Sequence, residues 1–132
     1  MLAPRPHEQA APQRIDAAAA LRGFFQIMAA WGASGEESRV ILGMPAERTF
    51  HAWRAGNGVR VPQDTLRRIG YVAGVYKALQ IVYSDARLAD GWVKRPNLAF
   101  GGQTPLQRMR AGDVTDLAAV RSYLDAVRAP WS

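Results

Sequence analysis

The residues that could do chemistry are few and do not converge. The chain has no Cys and only two His residues, His7 and His51. Thiolate nucleophiles, disulfides and thiolate metal sites are therefore excluded, and a zinc site or a His-based triad has almost no material. Asp113, Asp116 and Asp125 fall on one C-terminal helical segment, where capping and solvation account for them better than paired acid–base work. Gly101-Gly102 lies in neither a Walker pattern nor a GxGxxG motif, so it marks a tight bend and not a phosphate cradle. With no nucleophile, base and oxyanion donor brought together, the sequence predicts a binding protein without metal or cofactor, not an enzyme.

Residues suited to recognition are more plentiful. A net charge of +6 and a pI near 10.5 suit an anionic partner, nucleic acid or acidic protein alike. A helix expected from Pro45 onward turns Phe50 and Trp53 inward, leaving Glu47, Arg48, His51 and Arg54 on its outward faces. If this is a recognition helix, Arg48 and His51 meet base edges. Arg54, with Arg39 on the preceding helix and Arg60 after the turn, then lies against phosphates. In an ordinary bundle the same face is simply solvated, and Glu47 would face phosphates unfavourably. Trp31, Trp53 and Trp92 read as core. Trp131 follows Pro130 beyond the last helix; it either folds back on its own domain or anchors in a partner's pocket.

The elements that must position these groups are helical throughout. Residues 1–14, rich in Pro, Ala and Gln, read as a disordered lead-in, after which Asp16 caps a helix carrying Leu21, Phe24, Phe25, Met28 and Trp31 on its inner face. Ser34 and Glu37 form a capping-box signature for a short second helix, buried through Val40, Ile41 and Leu42 and ended by Gly43. The third helix ends at Gly56-Asn57-Gly58, and the pair has the spacing of a helix-turn-helix. A long helix runs from Asp64 to about Tyr83 with Leu66, Ile69, Val72, Ala73, Tyr76, Leu79 and Tyr83 in one stripe. Gly70 and Gly74 on it predict close approach of another backbone. Ser84 or Asp85 opens a brief helix to Gly91, and Thr104, Pro105 and Gln107 start another. Asp113 caps the last, along which Leu117, Val120, Leu124 and Val127 share a side until Pro130.

At 132 residues and 48% hydrophobic, the chain supports one core or two small helical units sharing one. The Pro-rich start lacks a signal peptide's apolar run, and no run of 18 apolar residues occurs, so a soluble cytoplasmic protein is expected. The expected fold class is all-α, divided into a lead-in 1–14, a helix-turn-helix domain 15–62 and a C-terminal domain 63–132.

Several blocks in order carry a family likeness: Gly43-Met44-Pro45, Thr49-Phe50, Trp53-Arg54, Leu66-Arg67-Arg68-Ile69, Gly91-Trp92, Arg95-Pro96-Asn97, Phe100-Gly101-Gly102, Thr104-Pro105-Leu106 and Val120 to Asp125. Over about residues 15–132 the chain resembles the Xre/MbcA/ParS antitoxins, the ParS branch most. The resemblance implies an Xre-like helix-turn-helix followed by a toxin-binding domain. The implied partner is a RES-domain toxin that consumes NAD, by degrading it or by transferring ADP-ribose, and whose active-site entrance the antitoxin covers. It also implies a homodimer within the toxin–antitoxin assembly, and often repression of the operon. Carried over residue by residue, it makes Arg121, Asp125, Arg128, Trp131 and Ser132 toxin-facing, with Asn97, Phe100, Gly101 and Gly102 nearby. The N-terminal half carries few cations for a DNA reader, which ranks that role below toxin binding. The alternative is a stand-alone Xre-type repressor whose C-terminal half only dimerises or senses a ligand.

Overall fold

A computed structural model describes residues 6–57 and 60–128 of the chain. Among them, helix α1 (Pro6–Trp31) is followed by α2 (Gly35–Ile41), α3 (Glu47–Arg54), α4 (Gln63–Val82), α5 (Ala86–Gly91), α6 (Pro105–Met109) and α7 (Val114–Arg128). Two short 3-10 turns, Trp92–Lys94 and Leu98–Phe100, lie between α5 and α6. No strand occurs among the described residues, in keeping with the expected all-α class.

Local hydrogen bonding sets most helix starts where the sequence places them. Ser34 Oγ accepts from the Glu37 amide at 3.0 Å while the Glu37 carboxylate accepts from the Ser34 amide at 2.9 Å, closing a capping box on α2. Thr104 and Gln107 repeat the arrangement on α6 at 3.0 and 2.8 Å, with Pro105 in the first turn. Asp85, not Ser84, opens α5 by accepting from the Arg87 amide. Ahead of α7, Asp113 accepts from the Thr115 amide at 3.1 Å and donates its own amide to Asp116.

Two starts differ from expectation. Helix α1 begins at Pro6, so Asp16 is an interior position and not a cap, and residues 6–14 of the expected lead-in are helical. Pro6 is suited to a first turn, and the Ala-rich stretch after it has high helix propensity. Helix α3 begins at Glu47, two residues past Pro45, with Ala46 making no side-chain cap. Gly43 (φ 99°) and Met44 (φ 61°) both take left-handed backbone in the turn before it.

The buried face of α4 is wider than the expected stripe, and rotated. Thr65, Arg68, Ile69, Val72, Val75, Ala78 and Leu79 are buried, while Leu66 and Tyr76 are half-buried and Ala73 is exposed. The reason is position: α4 packs on α7 and on α1 at once, so two sides of it are covered. On α7, Leu117, Val120 and Leu124 are buried, but Val127 remains 48% exposed because the packing ends before it. Trp31, Trp53 and Trp92 are core residues as expected. The close approach predicted at Gly70 and Gly74 is made by a side chain, not a backbone. A Cβ on Gly74 would collide with the Arg121 guanidinium, whereas nothing lies within 4 Å of one on Gly70.

The buried residues form one continuous cluster from Leu21 to Leu124, so residues before and after position 62 share a core. Burying each of its large aliphatic side chains contributes about 1.5–3 kcal/mol, which makes a shared core the main tie between the halves. Arg68 near the start of α4 touches Gly112 ahead of α7, and Gly74 further along meets Arg121. Helices α4 and α7 therefore run in the same direction, and their C-terminal ends share one end of the molecule.

Candidate functional site

The segment from Arg95 to Gln103 is a loop closed on itself. The Asn97 amide donates to the Gln103 carbonyl at 3.0 Å, its Oδ1 accepts from the Ala99 amide at 2.9 Å, and its carbonyl accepts from the Phe100 and Gly102 amides. Gly101 (φ 65°) and Gly102 (φ 85°) are both left-handed with open space around them, so glycine is needed there for backbone conformation and not for packing. Phe100 is buried and meets the Tyr123 ring edge-on at 5.4 Å, and Trp92 stacks on the same ring at 6.0 Å. The loop is thereby anchored to α7 through three aromatic rings. Its tip is Leu98, 93% exposed.

On α7, Arg121 lies across Gly74 and its Nε donates to both oxygens of Asp125 at 3.1 and 3.2 Å. Asp125 and Arg128 are exposed. Of the toxin-facing residues expected from sequence, Arg121 and Asp125 are thus a bonded pair, and Asn97, Phe100, Gly101 and Gly102 form one loop seated on α7. Within that loop Phe100 is an anchor and not an accessible contact. Trp131 and Ser132 lie outside the described residues.

Large apolar side chains left in solvent add what the sequence did not single out. Ile81, Val82, Leu88, Leu98 and Val127 are exposed in the C-terminal half, against Met44 alone among the large hydrophobics of the N-terminal half so described. Ile81, Val82 and Val127 occupy the shared end of α4 and α7. An amphipathic stripe alone would assign Val127 to the core, so only the packing reveals it.

The expected DNA-facing residues separate into two groups. Arg48, His51 and Arg54 are exposed on α3, with Phe50 and Trp53 buried behind them, and Arg60 is exposed in the linker. Arg39 is not free: its Nε donates to the Pro45 carbonyl at 2.7 Å and its guanidinium pairs with Glu36 at 3.5 Å, holding the turn between α2 and α3. Its expected phosphate contact is therefore replaced by an internal one. A cavity of about 1130 Å³ opens beside this turn and is lined by Leu42, Pro45, Trp53, Arg60, Val61 and Leu66 among others. It lies away from the Asn97 loop and α7.

Long-range polar ties fix the two halves against each other. Arg68, 8% exposed, donates to the Ile41 carbonyl at 3.4 Å and the Gly112 carbonyl at 2.8 Å, and pairs with Asp64 at 2.9 Å. Lys94 donates to the Gly32 carbonyl just past α1 at 3.0 Å, a favourable place for a cation. Arg110 pairs with Glu37 at 3.2 Å. The Ser34 amide bond and that guanidinium hold the Glu37 carboxyl below the usual carboxylate range. Asp113 is lowered too, through hydrogen bonds from the Thr115 hydroxyl and amide. Both are capping carboxylates. Among the described residues no cluster of His, Asp or Glu could hold a metal ion.

Residues 77–129 match the family model described as the antitoxin Xre/MbcA/ParS C-terminal toxin-binding domain. A protein of Sinorhizobium fredii (strain NBRC 101917 / NGR234), named uncharacterized protein y4oB, is 38% identical over 110 residues, covering 83% of this chain and 84% of its own. The chain belongs to the Xre/MbcA/ParS antitoxin family. No solved structure matches it. The matched segment begins inside α4 and contains the Asn97 loop, the Arg121–Asp125 pair and every exposed large hydrophobic named above except Met44. In this antitoxin a toxin is the partner of that segment. No helix among the described residues is long and apolar enough to cross a membrane.

Proposed function

We propose that this chain is a type II antitoxin, without catalytic activity of its own, that neutralises a RES-domain, NAD-consuming toxin by covering its active-site entrance with the C-terminal half. The observation that carries this reading is the concentration of solvent-exposed Ile81, Val82, Leu88, Leu98 and Val127 within residues 77–129. Exposed apolar side chains are tolerated singly, but several on one domain mark a surface that a partner covers. Arg121 and Asp125 add a charged pair on the same segment, and Arg128, Trp131 and Ser132 are the residues assigned to the toxin's cleft. The protein acts in the cytoplasm, as a homodimer within the toxin–antitoxin assembly.

The decisive experiment co-expresses the chain with the RES-domain protein encoded beside it and reads co-elution and rescue of growth. The full chain restores growth and co-elutes with the toxin. Deleting residues 126–132 abolishes rescue at equal abundance while leaving some binding. If the shortened protein still rescues, the tail is not the inhibitor; if the full chain neither binds nor rescues, the assignment of partner is wrong.

The exposed cationic face of α3 supports a second role, in which Arg48 and His51 meet bases and Arg54 and Arg60 meet phosphates of the antitoxin's own operator. Gel-shift titration with the upstream DNA tests it. Arg48→Ala weakens binding and relaxes preference at one position by about 1–3 kcal/mol, whereas Arg60→Ala weakens all sequences alike.

A further inference from the structure

We infer that Leu98 is a preformed contact on which toxin affinity depends, inserted into an aliphatic pocket of the toxin by the Asn97 loop. The inference rests on the toxin-binding reading and adds a residue that neither the family match nor the sequence motifs assign.

Three observations carry it. Leu98 is 93% exposed, far more than any other large hydrophobic residue described, and it makes no contribution to the core. The loop that presents it is held by local hydrogen bonds: the Asn97 side-chain cap, the closing bond from the Asn97 amide to the Gln103 carbonyl, and the bond from the Gly101 amide to the carbonyl of Leu98 itself at 3.1 Å. Two left-handed glycines, Gly101 and Gly102, reverse the chain three residues after it, and Phe100 pins the loop on Tyr123. A chain that only needed to connect α5 to α6 would not require an apolar tip, and water would favour a polar one.

The physical logic is preorganisation. A side chain presented on a backbone already in its bound conformation loses little conformational entropy on docking, so the burial of its apolar surface appears almost undiminished in the affinity. An isolated exposed leucine meets this condition only if its neighbours hold it still, and here the cap, the glycines and the aromatic anchor all act on the residues on either side of it. The pocket that receives it is aliphatic and dry, because a branched apolar side chain has nothing to offer a polar one. The loop lies within the segment matched as toxin-binding, which names the toxin as the occupant rather than a second copy of the antitoxin.

The test measures binding of the full-length antitoxin to the RES-domain protein co-expressed with it in the experiment above. Leu98→Asp lowers affinity by at least about thirtyfold and Leu98→Ala by about tenfold, as expected of a central interface contact. Both variants keep the thermal unfolding midpoint of the parent, because the side chain is exposed. A second variant, Gly101→Ala with Gly102→Ala, retains Leu98 but disturbs its presentation and also loses affinity. Equal affinity of Leu98→Asp and the parent overturns the inference while leaving the toxin-binding reading intact. A parent that fails to bind the toxin overturns both.

Discussion

Replacing Arg68 by Met asks how much a single buried guanidinium contributes to holding α2, α4 and the turn before α7 together. Methionine keeps a long apolar stem in the same channel beside Gly43 and removes only the charged head. Three interactions go: the bonds to the Ile41 and Gly112 carbonyls and the pair with Asp64. The Asp64 side chain is 59% exposed, so its pair is worth at most about 1 kcal/mol and its carboxylate regains water freely. The two carbonyls matter more, since each loses a charged donor at a place water reaches poorly, at about 1–2 kcal/mol apiece. Relief of the cost of burying the guanidinium offsets part of this. The net expectation is a loss of about 2–3 kcal/mol, or a fall of about 8–12 °C in Tm for a chain of this size. Circular dichroism melts of the parent, Arg68→Met and Asp64→Asn measure it, with Asp64→Asn expected within about 2 °C of the parent. A methionine variant that melts with the parent would refute the reasoning, by showing that the buried guanidinium merely repays its own desolvation.

Other outcomes follow from the same geometry. Gly70→Ala places a methyl in open space on the exposed side of α4, so it should raise stability by up to about 1 kcal/mol, seen as a higher urea midpoint with unchanged slope. The Glu37 carboxyl is lowered below its usual 4.5. Its contribution is therefore present above that pH and is lost as pH falls through the folded value, so stability declines below about pH 4.5. Glu37→Gln can still accept from the Ser34 amide but loses Arg110, and its Tm should vary less with pH in that acid window than the parent's. Asp113 is common to both proteins, so the difference between the two curves isolates Glu37. Tyr123→Ala removes the ring shared by Trp92 and Phe100; a loss of about 3 kcal/mol is expected, with fast amide exchange appearing first in residues 97–103.

Reading helices from this sequence works because the decisive contacts are between residues three or four apart. Ser34 with Glu37, Thr104 with Gln107 and Asp85 with Arg87 are visible as spacings, and so are the buried Trp31 and Trp53 on their helical periods. The long α4 was legible as a helix but not in its buried face, because a stripe assumes one covered side and α4 has two. The bend at Gly101-Gly102 was legible as turn chemistry, yet the composition around it could not say that Phe100 goes in while Leu98 stays out.

What the sequence determined by itself, then, is the all-helical class and the capping boxes at Ser34 and Thr104, since these rest on residue type and short spacing. Tertiary structure alone decided that Arg68 is buried between carbonyls 27 and 44 residues away, that Lys94 reaches Gly32 across 62 residues, and that Arg121 fills the gap left by Gly74. It also withdrew Arg39 from the DNA-facing set by giving it the Pro45 carbonyl. Long cationic side chains take whatever acceptor the fold brings near. Which acceptor that is depends on how distant helices stack, and no local pattern encodes it.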